Sequence, residues 1–101
     1  MTEALETVKE VIEKFGTRDC FAIAEKVGVK IVYESWHPVT IGEYDKFSKT
    51  IRVNLQALES GKFSERKIIA HELGHFFATE FNFDRKTEEA FACDFTVELT
   101  K

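Results

Sequence analysis

Apolar positions recur every three or four residues at the start of the chain. Leu5, Val8, Val11, Ile12 and Phe15 fall on one face of a helix, and Gly16 supplies a stop. Asp19 suits the cap of a short second helix, Cys20 to Val27, ended by Gly28. The period then drops to two. In VKIVYE, residues 29–34, Val29, Ile31 and Tyr33 alternate with Lys30, Val32 and Glu34, which predicts a strand. Trp36-His37-Pro38 breaks it, because proline lacks a donor and restrains its predecessor. Two more short strands, VTIGEY and TIRVN, are expected within 39–54 around a polar turn near Asp45 to Lys49. In the second, Ile51 and Val53 face one side and Arg52 the other. Leu55 to Lys62 reads as irregular, with room for one helical turn. Ser64 suits the N-cap of a helix from about Glu65 to about Phe81. FNFDRK reads as a loop, and Thr87 as the cap of a last helix, Glu88 to Leu99. Two helices, a three-stranded sheet and two more helices make an α+β pattern in one domain over residues 1–101.

Composition narrows the partners. A chain of 101 residues can bury one modest core, and ten Phe suggest that rings fill it. The net charge of −4 and the lack of a basic stripe argue against direct nucleic-acid binding. No apolar run approaches the roughly 18–20 residues of a membrane span. The start, MTEALETVKEV, mixes apolar and charged residues and does not read as a signal peptide. Cys20 and Cys93 lie far apart and fit no CxxC spacing, so the expectation is two reduced thiols in a cytoplasmic protein.

One stretch goes against its surroundings. IIAHELGHFF, residues 68–77, sets His71, Glu72 and His75 in a run that otherwise reads as core. His71-Glu72-Leu73-Gly74-His75 is HExxH on a predicted helix, so two imidazoles four apart share a face and can meet one ion. Glu72 points about 100° around the axis from His71, beside the ion, where it suits a base acting on water. Zn²⁺ accepts neutral imidazoles and brings the pKa of water to about 7. Gly74 costs the helix about 1 kcal/mol relative to alanine. Either that weakness is tolerated, or another backbone, a strand or a bound peptide, passes too close for a Cβ.

Two histidines do not complete a zinc site; a catalytic zinc wants a third protein ligand and an open position. The candidates are Glu88, Glu89, Asp94 and Glu98 on the last helix. Glu88 falls in line with Phe91, Phe95 and Leu99, a stripe that looks like core. Glu89 shares its face with Ala92, Cys93 and Thr96, whose small side chains allow that helix to lie close against HExxH. The projection favours Glu89, with Glu88 as runner-up.

HELGH followed by Glu89-Ala90-Phe91-Ala92-Cys93-Asp94-Phe95 resembles the IrrE/ImmA-type metallopeptidases, whose second motif reads E-x-x-A-N-x-F-A-x-x-L. GEYDKFSKTIRVN, residues 42–54, is similar to their glycine-led hairpin, and the resemblance extends from about Ala22 to Leu99. It implies a minimal zincin-like domain with His71, His75 and Glu89 as zinc ligands and Glu72 as catalytic base. It also implies a helix-turn-helix transcriptional repressor as the protein substrate. Three departures stand out. Cys93 replaces the usual Asn, and reads as a small buried packing residue; Thr96 replaces the usual Ala; and the sequence ends at Lys101, before the family's Met-Pro.

Three side chains are candidates for stabilising a tetrahedral intermediate: Tyr44, Tyr33 and His37. The TIRVN strand is either an edge for a substrate peptide to join or an interior strand with no such role. Against a zinc endopeptidase stand two alternatives. One is a weak or inactive relative that binds and regulates a protein without cutting it. The other is a structural zinc site closed by a fourth ligand.

Overall fold

The computed structural model describes residues 2–36 and 40–101. Along it run α1 (Thr2–Phe15), α2 (Cys20–Lys26), β1 (Lys30–Glu34), β2 (Gly42–Asp45), β3 (Thr50–Asn54), α3 (Leu55–Glu59), α4 (Glu65–Ala78) and α5 (Arg85–Leu99). A 3₁₀ turn, Thr79–Phe81, extends α4 before Asn82 takes a left-handed conformation at φ 56°. The architecture is the α+β arrangement that the pattern predicts.

Polar caps start the helices. Asp19 accepts from the Phe21 N–H at 3.0 Å and opens α2, and Ser64 accepts from the Lys67 N–H and opens α4. The last helix starts earlier than expected. Asp84 accepts from the Thr87 N–H at 2.8 Å, so Asp84 is the cap and Thr87 lies within the first turn. At the other end of α5, Arg18 donates to the backbone oxygens of Glu98 and Leu99 and satisfies carbonyls the helix leaves open. In α1 the buried stripe runs through Ala4, Thr7, Val8 and Val11. Leu5, expected in the core, is 42% exposed, because the small Ala4 takes the inward position beside it.

The sheet has the order β1-β3-β2, with β1 parallel and β2 antiparallel to β3. Ile51 and Val53 are buried and Arg52 points the other way, as the alternation predicts. Of the two alternatives for TIRVN, the edge is overturned: β3 is paired on both sides, and β2 and β1 carry the edges. Asn54 closes the central strand. Its fully buried amide donates to the Thr40 carbonyl at 2.9 Å and its Oδ1 accepts from the Gln56 N–H at 3.0 Å, capping α3.

Helix α4 sits between the sheet, α2 and α5. Ile68, Ile69, Ala70 and Leu73 enter the core from it, and Phe91, Phe95 and Leu99 enter from α5. Rings do fill much of this space: Phe77 stacks on Phe95 at 5.5 Å, and Phe81, Phe83 and Phe91 form a cluster. At Gly74 the backbones of α4 and α5 approach closely. A Cβ there would lie 2.8 Å from the Ala92 Cα and 3.3 Å from its carbonyl oxygen. The close-packed backbone is thus that of a neighbouring helix. Gly74→Ala should therefore destabilise the chain by about 1–3 kcal/mol through overpacking, where helix propensity alone gives a gain of about 1 kcal/mol. Urea unfolding of the two chains reads the sign.

Candidate metal centre

The pinch at Gly74 and Ala92 sets one face of α4 against the first turns of α5. On α4, His71 and His75 stand four residues apart, their rings 5.0 Å from each other and nearly perpendicular. On α5, Glu89 lies opposite both. Its Oε1 is 3.1 Å from His71 Nε2 and its Oε2 is 3.0 Å from His75 Nε2. Among the described residues, the three candidate ligand atoms that all lie within 4.8 Å of one another belong to His71, Glu89 and Cys93, while His75 reaches Glu89 through the other carboxylate oxygen. The donor types of His71, His75 and Glu89, two imidazoles and a carboxylate, are ones that zinc accepts.

The acids of α5 separate by what they touch. Glu88, the runner-up from the helical projection, meets the other nitrogen of His75, with Oε2 2.6 Å from Nδ1. A proton donated from Nδ1 to Glu88 fixes the ring and leaves Nε2 facing Glu89. Glu98 pairs with Lys101 at 2.8 Å, and neither Glu98 nor Asp94 lines the cleft beside the histidines. Burial, followed by the neighbouring His75, lowers the His71 pKa and favours the neutral ring that a metal needs.

Glu72 is 6% exposed yet lines the same cleft. Burial is the main force that pushes its carboxyl up to about 7; Glu89 and Glu43 add to the rise and His75 opposes it. A carboxylate poised near neutral pH is suited to accept a proton and release it again.

The cleft is open and has a volume of about 1140 Å³. One wall is β2 with the turn after it, residues 40–47. The other is formed by Lys62, Phe63, Ser64 and one face of α4, and Glu88, Glu89 and Thr96 of α5 also line it. Gly42 lets this wall approach, since a Cβ there would meet Ile68 Cγ2 at 2.8 Å. Tyr44 lines the cleft and packs edge-on against Phe76; burial raises its hydroxyl pKa. Tyr33 does not line it. Its hydroxyl bonds to Glu65, and burial first, then Glu65, raise its pKa to about 12. His37 lies outside the described residues.

Cys93 departs from its expected role as a buried packing residue. It is exposed, and its sulfur lies within 4.8 Å of ligand atoms of both His71 and Glu89. Burial cost, then Glu89 and Asp94, raise its pKa, so the thiol stays protonated beside the carboxylate. Sequence reasoning also missed the contact between Glu88 and His75. The available signal was adjacency: the residue before a ligand acid at the start of a helix can reach the second nitrogen of a facing histidine. Comparisons with models of known families, with curated proteins and with solved structures gave no match to this chain.

Two outcomes follow from this geometry. Glu88→Ala should weaken zinc binding about 10–100-fold in competition with a chromophoric chelator, because His75 loses the acceptor that orients it. In the metal-free chain, Glu72 titrates near 7 when folded and near 4.5 when unfolded. The folded state binds the extra proton, so this residue's contribution to stability is full below pH 4.5 and is lost as pH rises to 7. The loss is at most about 3 kcal/mol. Unfolding of wild type and Glu72→Gln across that window, with chelator present, should show the difference between them closing at acid pH.

Proposed function

We propose that this chain is a zinc-dependent endopeptidase. The observation that carries the reading is the convergence of two imidazole Nε2 atoms on one carboxylate, at 3.0 and 3.1 Å, beside a buried glutamate in an open cleft. His71, His75 and Glu89 hold the metal, and Glu88 keeps the His75 ring in place. When bound, zinc supplies the Lewis acidity that makes water nucleophilic near neutral pH.

Glu72 takes the proton from the attacking water and returns it to the leaving amine; a base with a pKa near 7 does both at similar cost. Tyr44 lines the cleft wall from β2 and is the favoured donor to the tetrahedral intermediate. An extended substrate segment lies along the exposed edge of β2. The resemblance noted from the sequence motifs makes a helix-turn-helix repressor the proposed substrate, within the cytoplasm.

A second reading has one specific observation behind it. Cys93 sits next to the cluster, and a sulfur ligand would complete four protein donors and leave no position for water. The chain would then bind and regulate a protein partner without cutting it. Co-expression with a helix-turn-helix repressor from the same genome tests both. Wild type should remove the full-length repressor, and Glu72→Gln should slow its loss by about 10²–10⁴-fold. X-ray absorption of the zinc-loaded chain should show imidazole and oxygen donors alone. Equal cleavage by Glu72→Gln would sink the role of that residue. A sulfur shell, with a stable complex and no fragments, would establish the non-cleaving alternative.

A further inference from the structure

Helix α5 carries a donor pair of its own. Glu89 and Cys93 stand four residues apart, as His71 and His75 do on α4, so each pair shares one helix face. The proposed zinc ligands use both members of the α4 pair but only Glu89 of the α5 pair. Cys93 is left over. Yet ligand atoms of His71, Glu89 and Cys93 all lie within 4.8 Å of one another.

The Glu89 carboxylate separates two donor sets. Its Oε2 is 3.0 Å from His75 Nε2, and its Oε1 is 3.1 Å from His71 Nε2. His75 belongs to the inner set. Its side chain is 15% exposed, and Glu88 holds its other nitrogen at 2.6 Å. Glu89 is 56% exposed and Cys93 is also exposed, so His71, Glu89 and Cys93 form an outer set open to solvent. His71 and Glu89 line the cleft, and Cys93 stands beside it.

We infer that the outer set, His71, Glu89 and Cys93, is a second position for a thiophilic cation of the Cd²⁺ or Cu⁺ class, overlapping the zinc position and exclusive of it. Thiolate is the donor that soft ions select, whereas zinc is also served by imidazole, carboxylate and water. Donors spread over as much as 4.8 Å suit an ion larger than zinc, whose longer bonds close with less side-chain movement. As the metal–sulfur bond forms, the S–H bond breaks and its proton passes to water. Both positions need His71 and Glu89, so an ion in one empties the other. A thiophilic ion would thus remove zinc from beside Glu72. The inference rests on reading His71, His75 and Glu89 as the zinc ligands, and adds a competing class of ion to that site.

The test is titration of the full chain with Cd²⁺, Zn²⁺ and Mn²⁺, each alone and in competition. One equivalent of Cd²⁺ should give sulfur-to-metal charge-transfer absorption, Mn²⁺ should give none, and Cd²⁺ should displace zinc one for one. Cys93→Ser should abolish that absorption and weaken Cd²⁺ by at least about tenfold, while zinc affinity shifts by less than about threefold. His75→Ala should do the reverse, weakening zinc by at least about tenfold and sparing Cd²⁺. In unaltered wild type, Cd²⁺ should slow alkylation of Cys93 by iodoacetamide by at least about tenfold, and Mn²⁺ should not. Absorption that survives Cys93→Ser, or none at all, would overturn the inference. So would zinc and Cd²⁺ bound together, or equal loss of both affinities in either variant. Every readout is of binding, so a chain that cleaves no repressor leaves this result standing. A missing sulfur signal likewise leaves the hydrolytic reading standing.

Discussion

The contact between Gly74 and Ala92 is the constraint on which the site depends. Two helices touch there with no side chain to spare on either backbone. One residue along α4 from Gly74 is His75, and three residues before Ala92 on α5 is Glu89. Close approach at the pinch therefore becomes close approach of imidazole and carboxylate. A wider interhelical spacing would leave Glu89 short of both histidines, whatever the helices' own stability. The aromatic cluster beyond the pinch, Phe77, Phe91 and Phe95, holds the spacing from the other side.

Burial then sets the chemistry. The run around His71 and His75 is apolar because the helix must anchor in the core, and the same apolar surroundings raise the Glu72 carboxyl toward neutrality. Packing and proton affinity have one cause here. Glu88 and Glu89 divide the work around the histidines: one touches the nitrogens that face inward to the cluster, and the other holds a ring from behind. Two adjacent residues can do this because they point about 100° apart on the helix.

Much of this was legible in the sequence where the signal is local. HExxH sits within one helix, so its geometry follows from the period alone, and the small residues that share a face with Glu89 pointed to a tight helix contact. Features set by tertiary packing were harder to read. Strand order is one: β1 joins β3 in parallel from the far side, and nothing in TIRVN itself says it will be central. The start of α5 is another. Arg85 and Lys86 carry no apolar signal, and Asp84 competes with Thr87 for the cap. Leu5 was placed by periodicity, which finds the stripe but cannot fix its rotation when Ala4 serves as well. Glu88 sits at the border of the core stripe, where a projection sorts residues by angle and ignores how far a long side chain reaches.

His71 and Glu89 are 18 positions apart, and every residue proposed to hold zinc or move a proton lies between them or at their ends. The proposed metal ligands and proton carrier thus lie on a single helical hairpin, α4 turning into α5. The cleft wall opposite, Gly42 to Phe47, comes from a distant stretch of chain and docks onto that hairpin. The proposed metal ligands and the opposite wall of the cleft thus come from separate segments of chain. The β2 turn can change its residues while the geometry of His71, His75 and Glu89 across the cleft stays as it is.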